Sequence, residues 1–170
     1  MKQRAACLVG AVVLLSACSD GTGPAPAAGV FGASLTGALV ATVSGPSNAG
    51  VIYREDLPEG QFTIRMSALP VSTTRLIAVA CPGQEPPARG RHVVSEQASD
   101  CQGSYYHLTS TQAGTSLLEH VTASSGSVTI TTKDGGRIRG AFSFSGILVA
   151  GSDSMGTLGV SGTFDAVMLP

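Results

Sequence analysis

Histidine, serine and carboxylate side chains are the groups in this chain that could do chemistry, and their spacing decides which chemistry is open to them. The three histidines, His92, His107 and His120, lie fifteen and thirteen residues apart. Neither His-x-His nor His-Glu-x-x-His occurs, so they match no zinc signature. They read as structural or surface residues, with one exception. His107 belongs to Tyr105-Tyr106-His107, and this aromatic and polar run is the candidate ligand-binding patch. Aromatic residues on a strand also serve as core or cross-strand pairs, and that reading stands beside it.

Serine nucleophiles need a Gly-x-Ser-x-Gly elbow between a strand and a helix. Gly45-Pro46-Ser47-Asn48-Ala49-Gly50 and Gly32-Ala33-Ser34-Leu35 both miss that spacing. Glu55, Asp56 and Glu59 crowd one turn, and paired carboxylates can cleave glycosides, but a solvated turn accounts for them. Gly151-Ser152-Asp153-Ser154 offers oxygen ligands and falls short of a calcium loop. No glycine-rich phosphate loop is present. The sequence therefore assigns no catalytic residue, no metal site and no cofactor.

Cysteine carries the stronger signals. Lys2 and Arg4 precede an uncharged run from Ala5 to Ala17. Thirteen residues make a helix of about 20 Å, short of a bilayer core of roughly 30 Å, so the run reads as a secretion signal rather than a span. It ends in Leu15-Ser16-Ala17-Cys18, which resembles the lipobox of bacterial lipoproteins. That resemblance implies diacylglycerol on the Cys18 thiol and cleavage ahead of it. Residues 1–17 are then a discarded signal peptide that takes Cys7 with it. Residues 18–29, with Gly21, Gly23, Pro24 and Pro26, form a tether of at most about 40 Å. Residues 30–170 form a single domain.

The mature chain would hold 153 residues with a net charge of −3. Such a balance excludes a phosphate-neutralising nucleic-acid binder. The expected partner is the membrane, reached through the acyl chains at ~0.8 kcal/mol per buried CH₂. Ser19 follows Cys18, and Asp comes only at Asp20; by resemblance to enteric sorting signals this favours the outer membrane, facing the periplasm or the cell surface. In an exported chain the remaining pair, Cys81 and Cys101, is expected to form a disulfide.

Apolar residues alternate with period two: Phe62, Ile64 and Met66 face one way, as do Ile138, Phe142, Phe144 and Leu148, and then Leu158, Val160, Phe164 and Met168. Leu35, Leu39, Ala41 and Val43 suggest one early strand. Leu76-Ile77-Ala78-Val79-Ala80 is apolar on both faces, as a central strand would be. Asp134-Gly135-Gly136 marks a tight hairpin. Further turns are expected at Gly45-Pro46-Ser47-Asn48, at Leu57-Pro58-Glu59-Gly60 and from Pro82-Gly83 to Pro86-Pro87, and a helical turn is an option at Thr115 to His120. With 22 glycines and no tryptophan, the chain reads as all-β, an antiparallel β-sandwich or barrel-like sandwich of about eight to ten strands.

Gly126-Ser127-Val128-Thr129-Ile130-Thr131, Ile138-Arg139-Gly140-Ala141-Phe142-Ser143-Phe144 and Gly162-Thr163-Phe164-Asp165 resemble the closing strands of a family of uncharacterised secreted lipoprotein domains from Gram-negative bacteria. The resemblance covers about 126–168 well and 33–68 faintly. It implies a β fold and a lipoprotein context, and it supplies no catalytic residue. The function expected is a non-enzymatic, lipid-anchored binding or structural module. The alternatives are a barrel-like carrier of a small apolar ligand, with Tyr105, Tyr106 and His107 at its mouth, and an envelope hydrolase.

Overall fold

The computed structural model describes residues 29–54, 57–68, 73–111 and 114–169. The expected signal peptide (1–17), Cys18 and the expected tether up to residue 28 lie outside them, as do Glu55 and Asp56. The described residues form ten strands: β1 (Val30–Gly37), β2 (Ala41–Arg54), β3 (Leu57–Ala68), β4 (Thr73–Pro82), β5 (Gly90–Ser95), β6 (Gln102–Thr111), β7 (Gly114–Thr122), β8 (Ser125–Asp134), β9 (Arg137–Ala150) and β10 (Asp153–Met168). The chain is all-β, as its period-two pattern requires, and the pairing is antiparallel except for a short parallel contact of β10 with β2 and two isolated bridges.

The order of pairing closes on itself. Strands β1, β2, β3, β4, β6, β7, β9 and β10 each pair with the next, and β10 returns to β1. A path perpendicular to the strands leaves β9 at Val149 and passes through His120, Tyr106, Leu76 and Ser67. It crosses to Pro46 by continuing the β2–β3 register, reaches Val30 and Asp165, and re-enters β9 at Arg139, ten residues away. Eight strands with that stagger make a barrel whose strands tilt by roughly 40°.

Closure is uneven around the ring. Only Glu119↔Ala150 and His120↔Val149 join β7 to β9. Below them β8 takes over that edge of β9, and β5 fills the gap between β8 and the start of β6, where Cys101 N–H donates to the Val93 carbonyl at 3.0 Å. The segment carrying β5 is clamped by the Cys81–Cys101 disulfide, with Cα atoms 4.1 Å apart. At the seam Gly146 is needed because a Cβ there would lie 2.2 Å from the Thr122 carbonyl oxygen.

Side chains fill the interior. Tyr105, Phe31, Phe164, Leu35, Ile64 and Met66 are fully buried, and Phe142 packs its ring 6.4 Å from Phe164 and 6.1 Å from Phe144. The apolar face turns inward and faces such as Ser143 and Ser161 turn outward, the reverse of a lipid-facing barrel. The upper end of the barrel is where β1, β3, β6 and β9 stop. The lower end holds the start of β1, the end of β10 and the β8–β9 turn, with Gly135 and Gly136 at positive φ.

Several local expectations change. Gly45-Pro46-Ser47-Asn48 is not a turn but the interior of β2. Gly45 permits close approach to Ser67, and Pro46 sits at the last β1 pair, where β2 exchanges β1 for β10 as its neighbour. Leu57-Pro58-Glu59-Gly60 opens β3 rather than forming the turn. The early strand through Leu35 and Val43 is a hairpin broken at 38–40. Thr115 to His120 is strand, because pairing with β6 supplies its ladder and a bulge opposite Leu108 absorbs the extra Leu118. Pro82-Gly83 to Pro86-Pro87 lies outside the strands as expected, apart from the end of β4 at Pro82 and a single bridge at Gly83.

Two substitutions test the closure. Cys81→Ser with Cys101→Ser should lower unfolding stability by about 2–4 kcal/mol in urea titrations, and added reductant should do the same to the unsubstituted chain only. Gly146→Val, which forces β7 from β9, should cost about 1–3 kcal/mol and raise amide exchange across His120 and Val149.

Candidate functional site

Alternation along β6 divides the run singled out in the sequence. Tyr105 and His107 point into the barrel, and Tyr106 points out. Tyr106 stands on the outer wall beside a shallow concavity of about 330 Å³ whose rim includes Gln61, Arg65 and Gln102. The three residues therefore do not share one mouth, because neighbours on a strand occupy opposite faces.

Register, rather than sequence proximity, assembles the inner group. Arg75 on β4 lies opposite His107 on β6, and His107 lies opposite Glu119 on β7. Arg75 shares its face with Ile77 and Val79, so a guanidinium is carried on the inward side of a strand whose other inward residues are buried. His107 Nδ1 meets Glu119 Oε2 at 3.1 Å, with side chains 18% and 28% exposed. Tyr105, paired with Ile77 and Val121 one step deeper, has no exposed surface.

Two donors in this group have no hydrogen-bond partner although water does not reach them: Arg75 Nε and the Tyr105 hydroxyl. A buried donor left this way costs about 1–3 kcal/mol. Burial pushes the Tyr105 phenol above its ordinary 10.0; the positive charge of Arg75 pulls in the other direction, Glu119 adds to the rise, and the side-chain contact of Arg75 with the phenol oxygen lowers it again. The hydroxyl therefore stays protonated and able to donate at neutral pH.

The other sequence candidates are separate. His92 Nε2 lies 2.7 Å from the Ala88 carbonyl oxygen, on the wall of a hollow of about 470 Å³ beside the disulfide. Asp100 in the same hollow accepts from Ser95 Oγ at 2.7 Å. His120 lies opposite Tyr106, on the outer face. Ser152 and Asp153 sit at the exposed β9–β10 turn, and among the described residues no group of three His, Cys, Asp or Glu side chains is placed to hold a metal. Asp165, from the Gly-x-Phe-Asp run, is buried and clamped by Arg137 and Arg139; Arg137 Nε is 3.0 Å from Oδ1 and Arg139 Nε 2.9 Å from Oδ2. It ties β9 to β10 at the lower end, a structural role.

Arg75 and Glu119 were not singled out by residue spacing. The available signal was parity: Arg75 stands two residues before Ile77 on the same face of the apolar run.

Tyr105 generates a pH test. Its phenol is protonated more readily in the folded state, so stability is full below the unfolded value near 10 and falls as pH rises toward the folded value. Urea midpoints measured from pH 8 to 11 should decline above about 10, and Tyr105→Phe should flatten that decline. Comparison with protein-family models, with curated proteins and with solved structures finds no match to this chain.

Proposed function

We propose that the chain is a lipid-anchored, non-enzymatic binding or structural module of the bacterial cell envelope, in keeping with its resemblance to secreted lipoprotein domains. The observation that carries this reading is the filled barrel: Tyr105, Phe31, Phe164 and their neighbours occupy the interior that an apolar cargo would need. Binding is then left to the outer surfaces and the ends. Val30 begins the first strand at the lower end, so a tether to Cys18 would set that end toward the membrane and turn the upper end away. Exposed apolar side chains, Val40, Leu117 and Met155, stand around that upper end. This is where a partner would meet the domain.

A ring of strands is also what a carrier of a small apolar ligand would use, and the packed aromatic core weighs against it. An envelope hydrolase would draw on the His107–Glu119 pair; its described neighbours on that face include Arg75 and Tyr105 rather than a second carboxylate.

Fractionation and mass spectrometry test the reading. The full chain should sediment with membranes and begin at an acylated Cys18, and Cys18→Ser should release it. An unmodified chain starting after Ala17 would overturn the anchor. Native mass spectrometry should show no apolar molecule retained; one bound in the barrel would favour the carrier.

A further inference from the structure

We infer that the inner face of the upper mouth is a binding site for a small, singly charged carboxylate, with the Arg75 guanidinium as its ion pair and the Tyr105 hydroxyl as a second donor. The case begins with charge. Arg75 forms no ion pair with a carboxylate among the described residues; its side chain meets the Tyr105 hydroxyl, and its Nε is shielded from water with no hydrogen-bond partner. Glu119 is the carboxylate on the same face, but β6 stands between them, and its Oε2 is held by His107 Nδ1 at 3.1 Å. Among the described residues the guanidinium charge is therefore unpaired and its Nε–H has no acceptor.

Geometry supplies the second donor. Arg75 and Tyr105 occupy adjacent strands, one pair apart on one face, and the phenol feels the guanidinium charge directly. The Tyr105 hydroxyl is itself fully buried; the Arg75 guanidinium can only donate to its oxygen, so among the described residues its own proton has no acceptor. Two orphaned donors converging at one place are rare in a folded protein, and a ligand that accepts from both resolves both. A planar fork of N–H groups matches the two oxygens of a carboxylate. Part-exposed His107 and Glu119 mark the side open to solvent. Glu119 also sets the charge of the ligand, since its own negative charge disfavours a dianion more than a monoanion.

The site is independent of the membrane anchor, so it can fail while that reading stands. The test uses the full chain in detergent, with propionate as probe, propionamide as its uncharged isostere and inorganic phosphate as the competing anion. The Arg75 Nε–H resonance should shift saturably with propionate and stay still with propionamide. Arg75→Gln and Tyr105→Phe should each weaken binding about tenfold or more, followed on backbone amides of Ile77 and Val121. Tyr105→Phe keeps the shape of the core and removes an orphaned hydroxyl. It should therefore be no less stable than the unsubstituted chain in plain buffer, yet should lose the rise in Tm that propionate confers. Absence of a saturable shift, binding by both variants as tight as that of the unsubstituted chain, or tighter binding of phosphate than of propionate would overturn the assignment.

Discussion

Closure of the backbone ladder is the constraint on which the rest depends. A sheet with free edges presents unpaired N–H and C=O groups, and a ring removes them. Here the ring is strong through β9 and β10, which pair along fourteen positions, and thin where β7 meets β9 in two. The chain repairs the thin sector by other means. β8 continues the edge of β9, β5 bridges β8 to β6, and the disulfide holds the segment that carries β5. Gly146 allows β9 to come close to Thr122 where the two sheets of contacts change over. These features look unrelated along the sequence and answer one geometric demand.

Stagger decides what lies at each end. Ten residues of offset around eight strands bring Arg75, His107 and Glu119 to the inner face near the upper mouth, while Asp165 and its two arginines close the outer wall near the lower end. The two polar groups differ in how well they are satisfied. Asp165 accepts from two guanidinium groups and behaves as a clasp. Arg75 and Tyr105 hold donors that their neighbours leave unpaired. A satisfied buried charge belongs to the architecture, whereas an unsatisfied one directs attention to what the protein meets in solution.

Much of the fold was legible in advance. Strict alternation in Phe62-Ile64-Met66 and in Ile138 to Leu148 gave strand and inward face together, because a period of two has one physical meaning. Asp134-Gly135-Gly136 gave the hairpin through the positive φ of its glycines. Gly45-Pro46 misled because those residues often break strands, and here they permit a strand to change partners. Thr115 to His120 misled because a short apolar and polar run has no decisive local preference, and the neighbouring β6 imposed one. Tyr105-Tyr106-His107 was legible as three interesting residues, and not as two inside and one outside.

Types, order and periodicity are local properties, and the sequence by itself determined those: an all-β domain, its core-facing residues, the cysteine pair in the described domain, and the candidate lipid-bearing Cys18 ahead of it. Register and closure are relations between segments far apart in the chain, set by which packing buries the whole core at once. Only the tertiary structure could decide that Arg75 would stand opposite His107 and one pair from Tyr105 across β4 and β6, with His107 holding Glu119 one strand further on. A one-residue slip in any of those ladders would have turned the group outward and dispersed it.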